Sequence, residues 1–228
     1  MRAKTKRIVI RFLALTGLLG AALVGFWITV YMPWALNWGA TDQEIDRRMP
    51  GDEIVQRPTF NATRAVTIRA LPEEIWPWII QIGYRKAGFY SWDRLDNDGI
   101  PSAERIRSEY QNIRVGDTIP LSKETGARVV ELDPNRSLLL VVDTNHDTHG
   151  PWTWAWGLYP QDDQHTRLVT RLRVRLDSSR SNLFLRTFEI VMMRKHMLGI
   201  KRRAEKAMRP DGGLARVRRP PVLPLQGD

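Results

Sequence analysis

The sequence predicts an α+β domain, an antiparallel sheet packed against one long C-terminal helix, behind a single membrane-spanning helix. Three observations predict it. Residues 12–31 contain no charged side chain. Between residues 118 and 176, apolar and polar residues alternate in short runs divided by turn residues. In residues 183–208, Leu183, Phe184, Leu185, Phe188, Ile190, Val191, Met192, Met193, Met197 and Leu198 point in nearly every helical direction before the run turns basic at Lys201, Arg202, Arg203 and Lys206. A helix apolar almost all round should be buried on more than one side. Its first half is therefore expected to be gripped and its second half to lie in water.

Composition narrows the functions available. With 228 residues and an N-terminal segment outside the globule, the chain has room for one ordinary domain. The absence of cysteine excludes disulfides, thiol catalysis, zinc-thiolate sites and iron–sulfur clusters. The net charge of +10 gathers largely at the two ends, which suits a membrane surface or solubility better than nucleic acid. No nucleic-acid partner is expected, and oligomeric state is open.

Taken in order, residues 1–11 hold Arg2, Lys4, Lys6, Arg7 and Arg11 and no acid. The twenty residues 12–31 match a hydrocarbon core of about 30 Å, and Trp27, Tyr31, Trp34 and Trp38 sit where an interfacial aromatic belt belongs. No convincing small-x-small site follows, so the segment reads as a retained anchor in the cytoplasmic membrane rather than a cleaved leader. The basic flank predicts an N-terminus inside the cytoplasm and a globular part on the extracytoplasmic side. Residues 1–38 thus form flank and anchor. Residues 39–60, polar and broken by Pro50-Gly51 and Pro58, form a linker lying along the domain. Residues 61–209 form the domain, and residues 210–228 a disordered basic and proline-rich tail.

Within the domain, residues 63–69 alternate as a half-buried strand. Pro72 with Glu73 and Glu74 opens a helix with its acids at the positive end of the dipole, and Pro77 predicts an irregular first turn. A short helix is expected over residues 102–109 with Ser102 as its cap. Strands follow near residues 118–121, 127–132, 137–143, 153–159 and 166–176. In the last two, Trp154, Trp156, Leu158, Leu168, Thr170, Leu172, Val174 and Leu176 should face the C-terminal helix, and Arg167, Arg171, Arg173 and Arg175 should face water.

This order, strand, two helices, antiparallel strands and long C-terminal helix, resembles the SRPBCC superfamily, which includes START-like lipid-transfer and polyketide cyclase proteins. The resemblance covers roughly residues 60–208. It rests on Pro72-Glu73-Glu74-Ile75-Trp76-Pro77-Trp78, on Gly88-Phe89-Tyr90-Ser91-Trp92-Asp93 with Leu95-Asp96-Asn97, on Val115-Gly116-Asp117, and on Met197-Leu198-Gly199-Ile200-Lys201-Arg202-Arg203-Ala204-Glu205. These pieces look like a membrane-anchored bacterial branch. The resemblance implies a helix-grip fold, a curved antiparallel sheet closed over the helix, with a cavity for an apolar or amphipathic small molecule. It implies no single reaction, because one fold hosts many functions.

Ligand contacts are expected from Trp76, Trp78, Tyr90, Trp92, Trp154, Trp156, Phe188, Glu189, Met192 and Met193, wide apolar groups with a few polar tips. Each of them alone is better explained as ordinary core packing than as a ligand contact. Glu189 faces solvent or pairs with Arg186, or, where buried, would pair with an arginine or act as an acid–base group of the cavity. With Tyr90 and Asp93 it completes the weak catalytic candidates, and no catalytic set is assigned. His196 reads as a pocket donor or a satisfied surface histidine. His146-Asp147-Thr148-His149 lacks a third metal ligand, and Asp96, Asp98 and Gly99 form an incomplete calcium loop, so no metal is expected. Without a GxGxxG, P-loop or GxSxG pattern no cofactor is expected either. The expected function is membrane-anchored binding of a lipid or polyketide-like molecule. A cyclase or dehydrase acting on such a ligand, and a non-catalytic membrane or partner interaction domain, are the alternatives.

Overall fold

The computed structural model describes residues 2–143, 150–176 and 179–207. The His146-to-His149 segment and the C-terminal tail lie outside them. Helix α1 (Arg2–Phe26) passes through a π-helical turn (Trp27–Tyr31) into α2 (Met32–Leu36). The run is long and apolar enough to cross a bilayer, and none of its most apolar stretch is buried against the rest of the chain. After α3 (Asp42–Asp46) comes β1 (Phe60–Ile68), then α4 (Pro72–Ile80) and the single turn α5 (Asp93–Asp96). Strands β2 (Thr118–Pro120), β3 (Gly126–Asp133), β4 (Ser137–Val142), β5 (Trp152–Pro160) and β6 (Thr166–Val174) precede α6 (Ser179–Ala207).

The six strands form one curved antiparallel sheet in the order β1-β6-β5-β4-β3-β2. A bulge between Val129 and Glu131 shifts the β3–β4 register and bends the sheet there. Strand alternation sends Phe60, Ala62, Leu138, Leu140, Trp154, Trp156, Leu168 and Leu172 to the face under α6, where they pack with Ile75, Ile79, Met193, Met197 and Ile200. Each fully buried Leu, Ile, Phe or Met side chain among them contributes about 1.5–3 kcal/mol.

Four expectations need correction. The arginines of β6 do not face water. Residues 39–59 lie across the outer face of the sheet, where Met49 joins Ala65, Leu139, Val141, Ala155 and Val169 in a second apolar cluster. Arg171 is buried beneath this strap. Its guanidinium donates to Thr63 Oγ1 at 2.8 Å, to the carbonyls of Arg47, Glu44 and Ile45, and to Asp52 at 2.7 Å. Arg173 also reaches Asp52 at 3.0 Å, and Arg167 pairs with Glu44 at 2.7 Å. Burial pushes the Glu44 carboxyl up, but the bonds from Arg167 and the Thr41 backbone bring it below its ordinary value. Alternation in one strand reveals two faces; it does not reveal that a distant polar segment covers the second.

The helix over residues 102–109 does not form, apart from a 3-10 turn at Ser108–Tyr110. Its would-be cap is used elsewhere: Ser102 Oγ accepts from Tyr90 N at 2.9 Å and donates to Asp93. The backbone N–H groups of Ala103 and Arg107 are taken by Ala87 O and Gln81 Oε1, both at 2.9 Å. Tertiary bonds replace helical ones along this stretch.

In α4 the helix runs through Pro77 without a break; Glu74 Oε2 accepts from Leu71 N at 2.7 Å at its start, and its apolar face is packed in the core. The fourth correction concerns α6, where burial follows the face and not the half: Ile190 and Met193 of the first half are buried, and Arg202 and Lys206 of the second are exposed. Leu183 and Val191 in its first half are exposed, whereas Met197, Ile200, Arg203 and Ala204 in its second half are buried.

Candidate functional site

The interior between sheet and α6 is a box of aromatic rings around one histidine. Trp154 and Trp156 stand on adjacent inward positions of β5, their rings 5.1 Å apart, and His196 lies 5.7 Å and 5.3 Å from them. Phe89 and Tyr90 close the other side at 6.1 Å and 6.2 Å. His196 is completely enclosed: burial pushes its pKa down to about 3 against a hydrogen bond to the Phe89 backbone, so the ring is neutral. Its Nε2 and the indole nitrogens of Trp78 and Trp156 are buried without a partner. The loop that carries Tyr90 sits close on α6 because Gly199 has no side chain; a Cβ there would run into the Tyr90 carbonyl and Cβ. Tyr90 itself adopts a positive φ of 56°, which leaves its hydroxyl to donate to Trp78 O at 3.1 Å and accept from Gln81 Nε2 at 2.7 Å.

Of the ligand-contact residues expected from sequence, Trp76, Trp78, Tyr90, Trp154, Trp156 and Met193 are packed together in this interior. Met192 is half-buried, and its carbonyl accepts from Ser91 Oγ at 3.1 Å. Trp92 is 46% exposed, with Lys195 Nζ 3.6 Å above its ring, and Phe188 is exposed on α6. Glu189 lies two turns before His196 on the same face of α6, where Arg64, at an inward position of β1, meets both its oxygens, at 3.0 and 2.5 Å. Burial raises the Glu189 carboxyl above its ordinary value, and Arg64 pulls it back.

The three acid–base candidates thus fall in two places. Tyr90 and Asp93 both border an open polar cleft of about 420 Å³, whose walls also include Ser91, Ser102, Glu104, Lys195, Arg202 and Arg203. Desolvation raises the Tyr90 hydroxyl well above its ordinary pKa, against the Gln81 hydrogen bond and the Arg203 charge. Arg203 lies over its ring at 4.4 Å and pairs with Glu104 at 2.6 Å. Among the described residues no three His, Asp or Glu side chains gather as a metal site.

A second cleft, about 390 Å³ and mostly apolar, runs along α6 beside the end of the membrane-type helix. Tyr31 and Trp34 form one wall, Trp92 the other, and Ile190, Val191, Arg194, Lys195 and Leu198 the floor. The end of that helix is fixed there: the Tyr31 hydroxyl donates to Thr187 O, Met32 and Ala35 pack on Ile190, and Arg194 lies 5.2 Å from the Trp38 ring. Lys195 and Leu198 belong to both clefts.

A single antiparallel sheet wrapped on a long C-terminal helix, with a strand and short helices before it, decides the architecture. This is the helix-grip fold. No family model matches the chain, and no curated protein matches it in sequence. Solved structures do. The Zhui aromatase/cyclase from Streptomyces sp. R1128 is 14% identical, with 68% of this chain and 98% of that one covered and a TM-score of 0.43. The Aha1 dimer protein from Colwellia psychrerythraea is 17% identical over 64% and 96%, with a TM-score of 0.43. A protein from Nitrosospira multiformis is 12% identical over 62% and 94%, with a TM-score of 0.45. Such identities speak of fold and not of activity.

Sequence reasoning placed Tyr31 and Trp34 in an interfacial belt and did not pair them with α6. It also missed Arg64, whose signal was present: it occupies an inward position of β1, two residues before Val66, where a charge requires a partner.

Proposed function

We propose that the chain is a single-pass membrane protein whose helix-grip domain binds a hydrophobic or amphipathic small molecule at the bilayer surface without transforming it. The observation that carries this reading is the apolar cleft between the anchor end and α6. Its walls come from Tyr31 and Trp34 on one side and Trp92 on the other, and it adjoins the segment read as spanning the membrane. A molecule dissolved in the bilayer would reach it without passing through water, which spares the cost of hydrating its apolar surface.

The binding reading is favoured over an enzymatic one by how the candidate groups are engaged. The Tyr90 hydroxyl is committed to Gln81 and Trp78, Glu189 to Arg64, and Asp93 to the Ser102 hydroxyl. A general acid or base needs an available proton site near the reacting atom. The basic flank at residues 2–11 supports an N-terminus in the cytoplasm and a domain on the opposite side.

The test is native mass spectrometry on the full chain extracted from its own membrane in mild detergent. The reading expects a non-covalent mass of lipid or polyketide size that is released unchanged on denaturation. A bare protein mass, before and after incubation with an extract of that membrane, would overturn it.

A further inference from the structure

The first half of α6 has an apolar outer face that the protein leaves uncovered, with Leu183 53% and Val191 51% exposed. Anchor and helix run side by side in the same sense: Tyr31 meets Thr187, Ala35 meets Ile190, and Trp38 meets Arg194. Residues 183–191 are therefore the membrane-proximal end of α6, and Lys195 to Arg203 its distal end. The exposed face changes character along this axis. It is apolar at Leu183 and Val191, mixed at Arg194, Lys195 and Leu198, and polar beyond, where the 420 Å³ cleft begins.

Two cations stand at the transition. Arg194 lies over Trp38 and Lys195 over Trp92, and among the described residues neither has a carboxylate in ion-pair range. The acids of the polar cleft are engaged elsewhere: Glu104 with Arg203 at 2.6 Å and Arg202 at 3.5 Å, and Asp93 as acceptor from Ser102 Oγ. A cation held on an aromatic face keeps its charge and N–H donors, and with no carboxylate beside it can still take an anion.

From this we infer that the two clefts form one track for an anionic lipid of the anchoring membrane. Its acyl chain lies on Val191, Ile190 and Trp34, pointing to the bilayer, and its acidic headgroup lies on Arg194 and Lys195. The inference rests on the binding function proposed above and narrows it to a site and a charge. The axis of the track gives the bound lipid the polarity it has in the adjacent leaflet, head away from the bilayer centre, so entry requires a sideways step and no inversion. The apolar face accounts for the chain, and the unpaired cations account for the sign of the head.

Full-length protein in a neutral detergent, titrated with lysophosphatidylglycerol or lysophosphatidylcholine of equal chain length and read by native mass spectrometry, tests it. One bound lysophosphatidylglycerol per chain is expected, with a preference of about tenfold over the choline lipid. Lys195→Glu should abolish the preference while retaining the choline lipid. Val191→Trp, at an exposed position that does not threaten the fold, should block both. Equal affinity for the two lipids in the wild type overturns the headgroup assignment. Undiminished binding to Val191→Trp overturns the track and leaves the binding function standing at another site. If the wild type binds neither lipid nor the co-purified mass sought above, both readings fail.

Discussion

Arg64 and Glu189 form a two-pronged ion pair between β1 and α6, with Nη1 to Oε1 at 3.0 Å and Nη2 to Oε2 at 2.5 Å. Arg64 Nε also donates to Ala35 O at 2.8 Å, so one side chain ties the sheet, the C-terminal helix and the end of the N-terminal helical run together. The Arg64 side chain is 2% exposed and that of Glu189 13%. Removing one partner leaves the other charge buried, so Arg64→Met should cost about 3–5 kcal/mol. Burial outweighs Arg64 in its effect on the Glu189 carboxyl, so the double replacement Arg64→Met with Glu189→Leu should recover most of that loss. Urea unfolding of the full chain in detergent measures both. Equal losses in the single and double variants would show that the pair is not a unit.

His196 makes stability pH-dependent. Its folded pKa of about 3 lies below the ordinary 6.5, so between these values the unfolded chain takes up a proton that the folded chain does not. Stability from this group is complete above pH 6.5 and falls as pH drops, by about 1.4 kcal/mol per unit once well below that value. Glu189 acts in the opposite direction: its raised carboxyl favours the folded state at low pH, and that contribution is lost as pH rises through its folded pKa. Unfolding followed by tryptophan fluorescence at pH 7.5 and 5 should show the loss, and His196→Phe should flatten the slope by about one proton. An unchanged slope would mean that the ring titrates normally.

Arg171 holds the strap formed by residues 39–59. Arg171→Met strands three carbonyls and deprives Asp52 of one of its two arginines, with an expected cost of at least about 3 kcal/mol. Hydrogen exchange should show the amides of residues 42–55 losing protection while those of β6 keep theirs. Uniform loss across the sheet would mean that the strap is not a separate unit.

Gly199→Ala separates packing from helix propensity. Alanine favours a helix interior by about 1 kcal/mol over glycine, but the added Cβ meets the backbone of Tyr90, which cannot rotate away. A net loss of about 1–3 kcal/mol is expected. Gly17→Ala, in α1 with nothing near its Cβ position, is the control and should not destabilise.

The fold was legible because its signals are periodic. Alternation in β5 and β6, the proline and acids that open α4, and the charge-free run ending at Tyr31 each follow from local sequence. What escaped depends on contacts between distant segments. Arg171 looks like a solvated residue until residues 44–52 are laid over it, and Ser102 looks like a helix cap until Tyr90 and Asp93 claim its hydroxyl. The aromatic residues were legible as an inward set, but the sequence does not distinguish a ring that lines a space from one that fills it. In α6, composition indicated a first half buried on more than one side, whereas the face bearing Leu183 and Val191 is exposed.

A photoreactive side chain placed at Val191, with another at Arg128 on the far strand β3, tests the site most directly. After irradiation in native membranes, the Val191 probe should yield a protein adduct of lipid mass and the Arg128 probe none. No lipid adduct at Val191, or equal adducts at both positions, would contradict a ligand track between the anchor and α6.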